Sequence, residues 1–153
     1  MKMDSLLEKR YRLDDLMPLI REELAEGESV RVSPRGTSML PMLRQGMDRV
    51  VLSPLPEKLQ KYDLPLYQRE NGQYVLHRIV KVGETITCIG DNQIDREEGL
   101  LESQMIGLVT AFYRGNKKVS VADWRYWLYC RIWPVSRPAR RAWRWLKSKL
   151  RRH

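Results

Sequence analysis

Near the start of the chain, apolar residues recur at helical spacing: Leu13, Leu16, Met17, Ile20 and Leu24 fall on one face of a helix. Asp14 and Asp15 stand near its start and Gly27 supplies a stop, so the spacing predicts an amphipathic helix over 13–26. Pro18 must lie in the first turn of this helix or kink it. After Gly27 the texture changes to short β-type runs: "SVRV" (29–32), "DRVVL" (48–52), "LPLYQ" (64–68), "QYVLHRIVKV" (73–82), "TITCIG" (85–90) and "MIGLVTAFYR" (105–114). Strands this short, joined by polar turns, predict a small coiled β-domain. Asn71-Gly72 in "ENGQ" suits the positive φ angles of a tight hairpin, which would pair the strand carrying His77 with the one carrying Tyr67.

From Trp124 the pattern changes again. Pro134 and Pro138 separate a Trp/Tyr-rich segment from a basic one. Ala139, Ala142, Trp143, Leu146 and Leu150 fall at helical spacing, with Arg140, Arg141, Arg144, Lys147 and Arg151 filling much of the remainder. Charge sharpens this division. Residues 1–123 hold 18 Lys/Arg and all 19 Asp/Glu, whereas residues 124–153 hold 10 Lys/Arg and no acid, so the net charge of +9 belongs to the tail. Three segments are expected: an N-terminal helical segment (1–28), a β-domain (29–123) and a basic aromatic tail (124–153). At 153 residues there is material for one domain with a sizeable core.

The tail has the composition of an interfacial helix on an anionic membrane surface. Nucleic acid is the weaker expectation for it, since phosphate neutralisation and base stacking ask for the same residues, and a plain solvated or packed tail is the third. The first thirty residues contain no apolar run of a secretory signal, and no uncharged stretch is long enough to span a bilayer. The expectation is therefore a cytoplasmic protein, with a peripheral position on the inner face of the membrane as its variant. Cys88 and Cys130 stand in no metal-ligand spacing and read as reduced, partly buried thiols. No metal and no cofactor are implied.

Candidate chemistry begins in "PRGTSMLPML" (34–43), where two prolines, a glycine and two hydroxyls interrupt every regular pattern. A hydroxyl nucleophile needs a base, a group that orients the base, and N–H donors where the oxyanion develops. His77 is the one histidine within the β-domain, His153 being the last residue. Taken singly, Ser38 reads more simply as a turn serine and His77 as a satisfied strand histidine. "GDNQID" (90–95), with Asp91, Asn92 and Asp95, reads more simply as an Asx-type turn.

Read together, "GTSMLPML", "YVLHRIV" and "GDNQID" resemble, in that order, the boxes of the signal peptidase I superfamily. The resemblance covers about 30–114. It includes "GMDRVVL", similar to the family's Gly-Asp-x-Val strand with Met47 inserted or Gly46 displaced, and "KYDLPLY", with Tyr62 where glycine is usual. It implies a signal peptidase/SOS-repressor-like coiled β-domain, with Ser38 as nucleophile and His77 as base, closest to the archaeal and endoplasmic-reticulum type. The acid that orients the base is left between Asp95, favoured by family position, and Asp91, the cleaner local match in a shortened box. Gly36, Thr37, Met39 and Pro41 are the implied oxyanion and substrate-binding residues, although the apolar ones read equally well as core.

The implied activity is that of a serine endopeptidase acting on a peptide or protein from the cytoplasmic side. Family members usually carry an N-terminal membrane anchor, which "MKMDSLLEKRYRLDDLMPLI" does not resemble. Two alternatives stand beside this expectation. A self-cleaving regulator like the SOS repressors would need a lysine base and an upstream DNA-binding domain. A catalytically silent peptide-binding module docked on a membrane would not need Ser38.

Overall fold

The computed structural model describes residues 13–151; the first twelve residues of the expected N-terminal segment, and His153, lie outside the described residues. Among the described residues the protein is mainly β, with one α-helix before and two α-helices after a pair of antiparallel sheets. Helix α1 (Leu13–Ala25) buries Met17, Ile20 and Leu24, the stripe its spacing anticipates, and Pro18 lies inside it. Each buried aliphatic side chain stabilises the fold by roughly 1.5–3 kcal/mol. Gly27, at φ +87°, ends the helix.

The first sheet holds β1 (Val30–Val32), β2 (Asp48–Ser53), β3 (Pro65–Gln68), β4 (Tyr74–Leu76), β8 (Met105–Arg114) and β9 (Lys117–Ser120). Its order is β1-β2-β8-β3-β4, with β9 paired to β8. The second sheet is β5 (Arg78–Val82), β6 (Ile86–Ile89) and β7 (Glu97–Leu100), in that order. One apolar cluster lies under the first sheet and joins Ile20, Val50 and Phe112 to Tyr126 and Cys130. A second, with Tyr67, Ile79 and Cys88, fills the space between strands of the two sheets.

Two strands, β7 and β9, lie outside the runs anticipated from the sequence; both are polar and half-exposed, so their pattern carries little β signal. The run expected as one strand over 73–82 is two. It breaks at His77, where β4 of the first sheet ends and β5 of the second begins. His77, Arg78 and Ile79 are buried in succession, which an alternating strand with one wet face does not permit. The chain here passes from one sheet to the other, and the Asp63 carbonyl accepts from Ile79 N–H while the Ile79 carbonyl accepts from Tyr62 N–H, each at 2.8 Å. The hairpin before it pairs Tyr67 with Val75, as Asn71-Gly72 suggests. Only Gly72 takes positive φ, and Arg69 N–H bonds to Gln73 O at 2.8 Å, so the loop has three residues rather than two. Tyr62 has φ +80°, the reason glycine suits that position.

The segment expected as a tail divides into α2 (Trp124–Val135), capped by Asp123, and α3 (Arg137–Leu150). Helix α2 belongs to the core: Tyr126 and Cys130 are buried, and Tyr126 packs its ring 5.7 Å from that of Phe112. Both cysteines are free and buried.

What ties α2 to the sheets is Arg78. Arg78 and Asp91 are each 1% exposed and form a two-pronged ion pair, Nε to Oδ1 and Nη2 to Oδ2, both 2.8 Å. Arg78 Nη1 also donates to the Tyr126 hydroxyl at 2.7 Å and the Tyr62 carbonyl at 3.1 Å. Removing one partner strands the other charge in the interior. Asp91→Ala is expected to lower the free energy of unfolding in urea by about 3–5 kcal/mol, while Asp95→Ala, at an exposed position, changes it by less than about 0.5 kcal/mol. Equal effects of the two would show that the buried pair contributes nothing.

Candidate active site

The segment between β1 and β2 runs as a series of turns. Gly36 takes φ +86°, its N–H bonds to Gln45 Oε1 at 3.1 Å, and Leu43 N–H bonds back to Met39 O at 3.0 Å. Its far end is pinned by Asp48, which accepts from Arg44 N, Nε and Nη2 at 2.8–3.0 Å. Hydrogen bonds from the Arg44 side chain hold the Asp48 carboxyl below the usual carboxylate range. Met39, Met42 and Leu43 are buried beneath the loop and anchor it to the first core cluster. Among the described residues, neither the amide nor the hydroxyl of Ser38 is engaged by a protein hydrogen bond, so both stay available.

Ser38 and His77 line the same cleft, of about 230 Å³. Gly36 and Met39 line it too. One wall is β4, residues 74–76, which among the described residues pairs with β3 alone and so presents a free strand edge. Among the described residues of its lining there is no lysine, and His77 supplies an imidazole.

His77 is 4% exposed, and burial pushes its pKa down to about 4, so the imidazole is neutral at physiological pH. Its Nδ1 lies 3.3 Å from the Tyr67 hydroxyl. That hydroxyl donates to Glu97 Oε2 at 2.7 Å, and Arg69 clamps the carboxylate with Nε and Nη2, both at 2.8 Å. The Arg69 bonds hold the Glu97 carboxyl below its ordinary range, whereas burial raises the Tyr67 phenol. These pulls set the protons. A phenol has one proton, and here it goes to the carboxylate, so Nδ1 must donate to the Tyr67 oxygen, leaving the lone pair on Nε2.

Neither acid anticipated as the orienter touches His77. Both carboxylate oxygens of Asp91 are taken by Arg78, and Oδ2 also accepts from Tyr129 at 2.9 Å. Asp95 is exposed in an adjoining groove shared with Glu97 and Arg144. The carboxylate near the imidazole is Glu97, whose Oε2 is 3.8 Å from Nδ1. Glu97 lies on β7, a strand with no apolar signature, and its approach to His77 depends on the pairing of Cys88 with Glu97. Tyr67 had a weaker signal: its pairing with Val75 places it diagonal to His77.

The "GDN" turn holds the Ser38 loop instead. Asn92 N–H donates to Ser38 O at 2.8 Å, and Asn92 Nδ2 donates to Thr37 O at 3.1 Å. A Cβ at Gly90 would stand 2.6 Å from Ser38 O, a separation that requires glycine. The turn is held in its own place by the C-terminal helices: Trp133 Nε1 and Arg140 Nη1 donate to Asp91 O, and Arg144 Nη2 donates to Asn92 O. Thr37 thus contributes its carbonyl to the loop's anchorage, and Pro41 lines a different cleft.

Among the described residues, no group of three or more His, Cys, Asp or Glu side chains is disposed to hold a metal ion. No family model, curated protein or solved structure matches the chain.

Burial of His77 has a pH signature. In the unfolded chain a histidine binds its proton near pH 6.5, whereas the folded protein resists protonation down to about 4. Stability is thus unaffected by this group above about pH 6.5, falls as pH drops from there toward 4, and levels off below, by roughly 3 kcal/mol in all. Following the His77 imidazole by NMR should give a midpoint near pH 4; a midpoint at or above 6.5 contradicts the assignment. Gly90→Ala should displace the Ser38 loop, seen as altered amide shifts for residues 36–40 and a loss of about 1–3 kcal/mol; unchanged shifts would mean the close approach is unimportant.

Proposed function

We propose that the chain is a serine endopeptidase with a signal peptidase/SOS-repressor-like fold, in which Ser38 is the nucleophile and His77 the general base. The observation that supports this reading is that Ser38 and His77, from separate segments of the chain, line one cleft beside a strand edge unpaired among the described residues. An extended peptide can add to such an edge through its main chain and lie across the cleft. A lysine-dependent mechanism of the SOS-repressor kind finds no lysine among the described residues that line the cleft.

In this reaction His77 Nε2 takes the Ser38 hydroxyl proton as Oγ attacks the peptide carbonyl. The Ser38 amide is a donor for the developing oxyanion, where one such bond is worth roughly 3 kcal/mol of barrier. The imidazolium then gives its proton to the leaving amine, and the acyl group stays on Ser38 as an ester. Water, deprotonated by His77, hydrolyses that ester, releasing the new carboxylate and restoring the serine. Throughout, Nδ1–H is held by Tyr67, and the Glu97 charge 3.8 Å away favours the imidazolium when it forms. A neutral imidazole in the free protein supports this role, since a base must be unprotonated to act.

Incubating the protein with a library of short peptides and reading the products by mass spectrometry tests the proposal. Cleavage by wild type, and loss of at least about 1,000-fold in rate for Ser38→Ala and His77→Ala, is expected. Cleavage by all three proteins removes the mechanism, and cleavage by none leaves the cleft a peptide-binding groove. Tyr67→Phe should lower kcat by about 10–100-fold with little change in KM, because it leaves Nδ1–H unpartnered without touching substrate. An unaltered kcat would exclude the relay through Tyr67.

A further inference from the structure

Helix α2 is apolar on both faces. Its inner face, with Tyr126 and Cys130, is in the core. Its outer face carries Trp124, Trp127, Leu128, Ile132 and Val135, and the residues at its two ends, Trp124 and Val135, are 67% and 77% exposed. A helix on a protein surface normally presents a polar outer face; here the charged residues on it are Arg125 and Arg131, both lying over tryptophan rings. Helix α3 also exposes apolar side chains. Its Arg140 and Arg144 reach back to the "GDN" turn, while Trp143, Leu146 and Leu150, on another side, are exposed.

Charge indicates what covers this surface. From residue 124 onward the chain holds ten Lys/Arg and no acid. Beside the start of α2 lies a cleft of about 310 Å³ with an aromatic floor that includes Phe112 and Tyr126. Arg114, Lys117, Lys118 and Arg125 stand around it. The one carboxylate in its lining, Asp123, is committed to capping α2 through Arg125 N–H at 2.8 Å. Cations thus stand beside an aliphatic and indole surface.

We infer that the outer face of α2 and α3 docks on an anionic lipid bilayer, with indoles and aliphatic side chains in the interfacial layer and the surrounding Lys/Arg on lipid phosphates. Indoles favour the headgroup level, and basic residues next to it are drawn to anionic lipid. Nucleic acid would match the charge but gives no gain to Leu128, Ile132, Val135, Leu146 and Leu150, which neither stack on bases nor bind phosphate. Among the described residues no helix is long and apolar enough to cross a membrane, so the contact is along the surface. The inference is independent of the chemistry at Ser38.

Vesicle sedimentation tests it, with phosphatidylcholine alone against phosphatidylcholine mixed with phosphatidylglycerol. All five tryptophans lie between 124 and 145, so their emission reports the contact directly. Wild type should sediment with the anionic vesicles at least about tenfold more than with the neutral ones, lose that binding in high salt, and shift its emission to the blue. Trp127→Ser combined with Ile132→Ser, at exposed positions that leave the core intact, should weaken binding at least about tenfold while the far-ultraviolet circular dichroism is unchanged. Lys117→Glu with Lys118→Glu should weaken the anionic component alone. Equal sedimentation of wild type and the Trp127/Ile132 variant overturns the inference. So does an absence of vesicle binding, whether the chain instead pairs with itself or binds a duplex oligonucleotide.

Discussion

The buried pair of Arg78 and Asp91 is the interaction on which the rest of the molecule depends. Arg78 opens the first strand of the second sheet, and Asp91 stands in the turn after the next strand. Through the same guanidinium pass contacts to Tyr62, Tyr126, Cys130 and Met42, so one side chain joins the second sheet, the turn before β3, α2 and the loop that carries Ser38. Two charges taken out of water this completely are kept by mutual pairing and by hydrogen bonds to every remaining donor and acceptor. That requirement dictates geometry: the guanidinium has one orientation, and each group that satisfies it is located by it.

This arrangement divides labour between two carboxylates. Asp91 is saturated and structural, while Glu97 meets the histidine through Tyr67 and is itself charge-balanced by Arg69. On the proposed mechanism the two needs conflict if one acid serves both: a carboxylate locked to a buried arginine has no oxygen left for an imidazole. The "GDNQID" segment leads into β7 at Glu97, whose Oε2 comes to 3.8 Å from His77 Nδ1.

The C-terminal helices serve the interior and the exterior at once. Trp133, Arg140 and Arg144 hold the backbone of Asp91 and Asn92, and Asn92 holds that of Ser38 and Thr37. Other sides of the same helices form the surface inferred to meet lipid. A basic, aromatic composition that looks like an appendage in the linear chain is thus a continuous part of the structure around the cleft.

The chain's periodicity was enough to locate α1, six of the runs that form strands, and the hairpin at Asn71-Gly72, because these depend on which residues face the core and on which turn a short loop permits. The order of the Ser38, His77 and "GDN" segments was legible too, since a motif is a local property. Three things were decided by tertiary structure. The break at His77 follows from burial on both sides as the chain changes sheets. The identity of the carboxylate near His77 follows from the β6–β7 register, which no single segment encodes. The role of Asp91 follows from pairing with Arg78, thirteen residues away, since a buried charge takes the partner the fold brings within reach, whatever position a motif gives it.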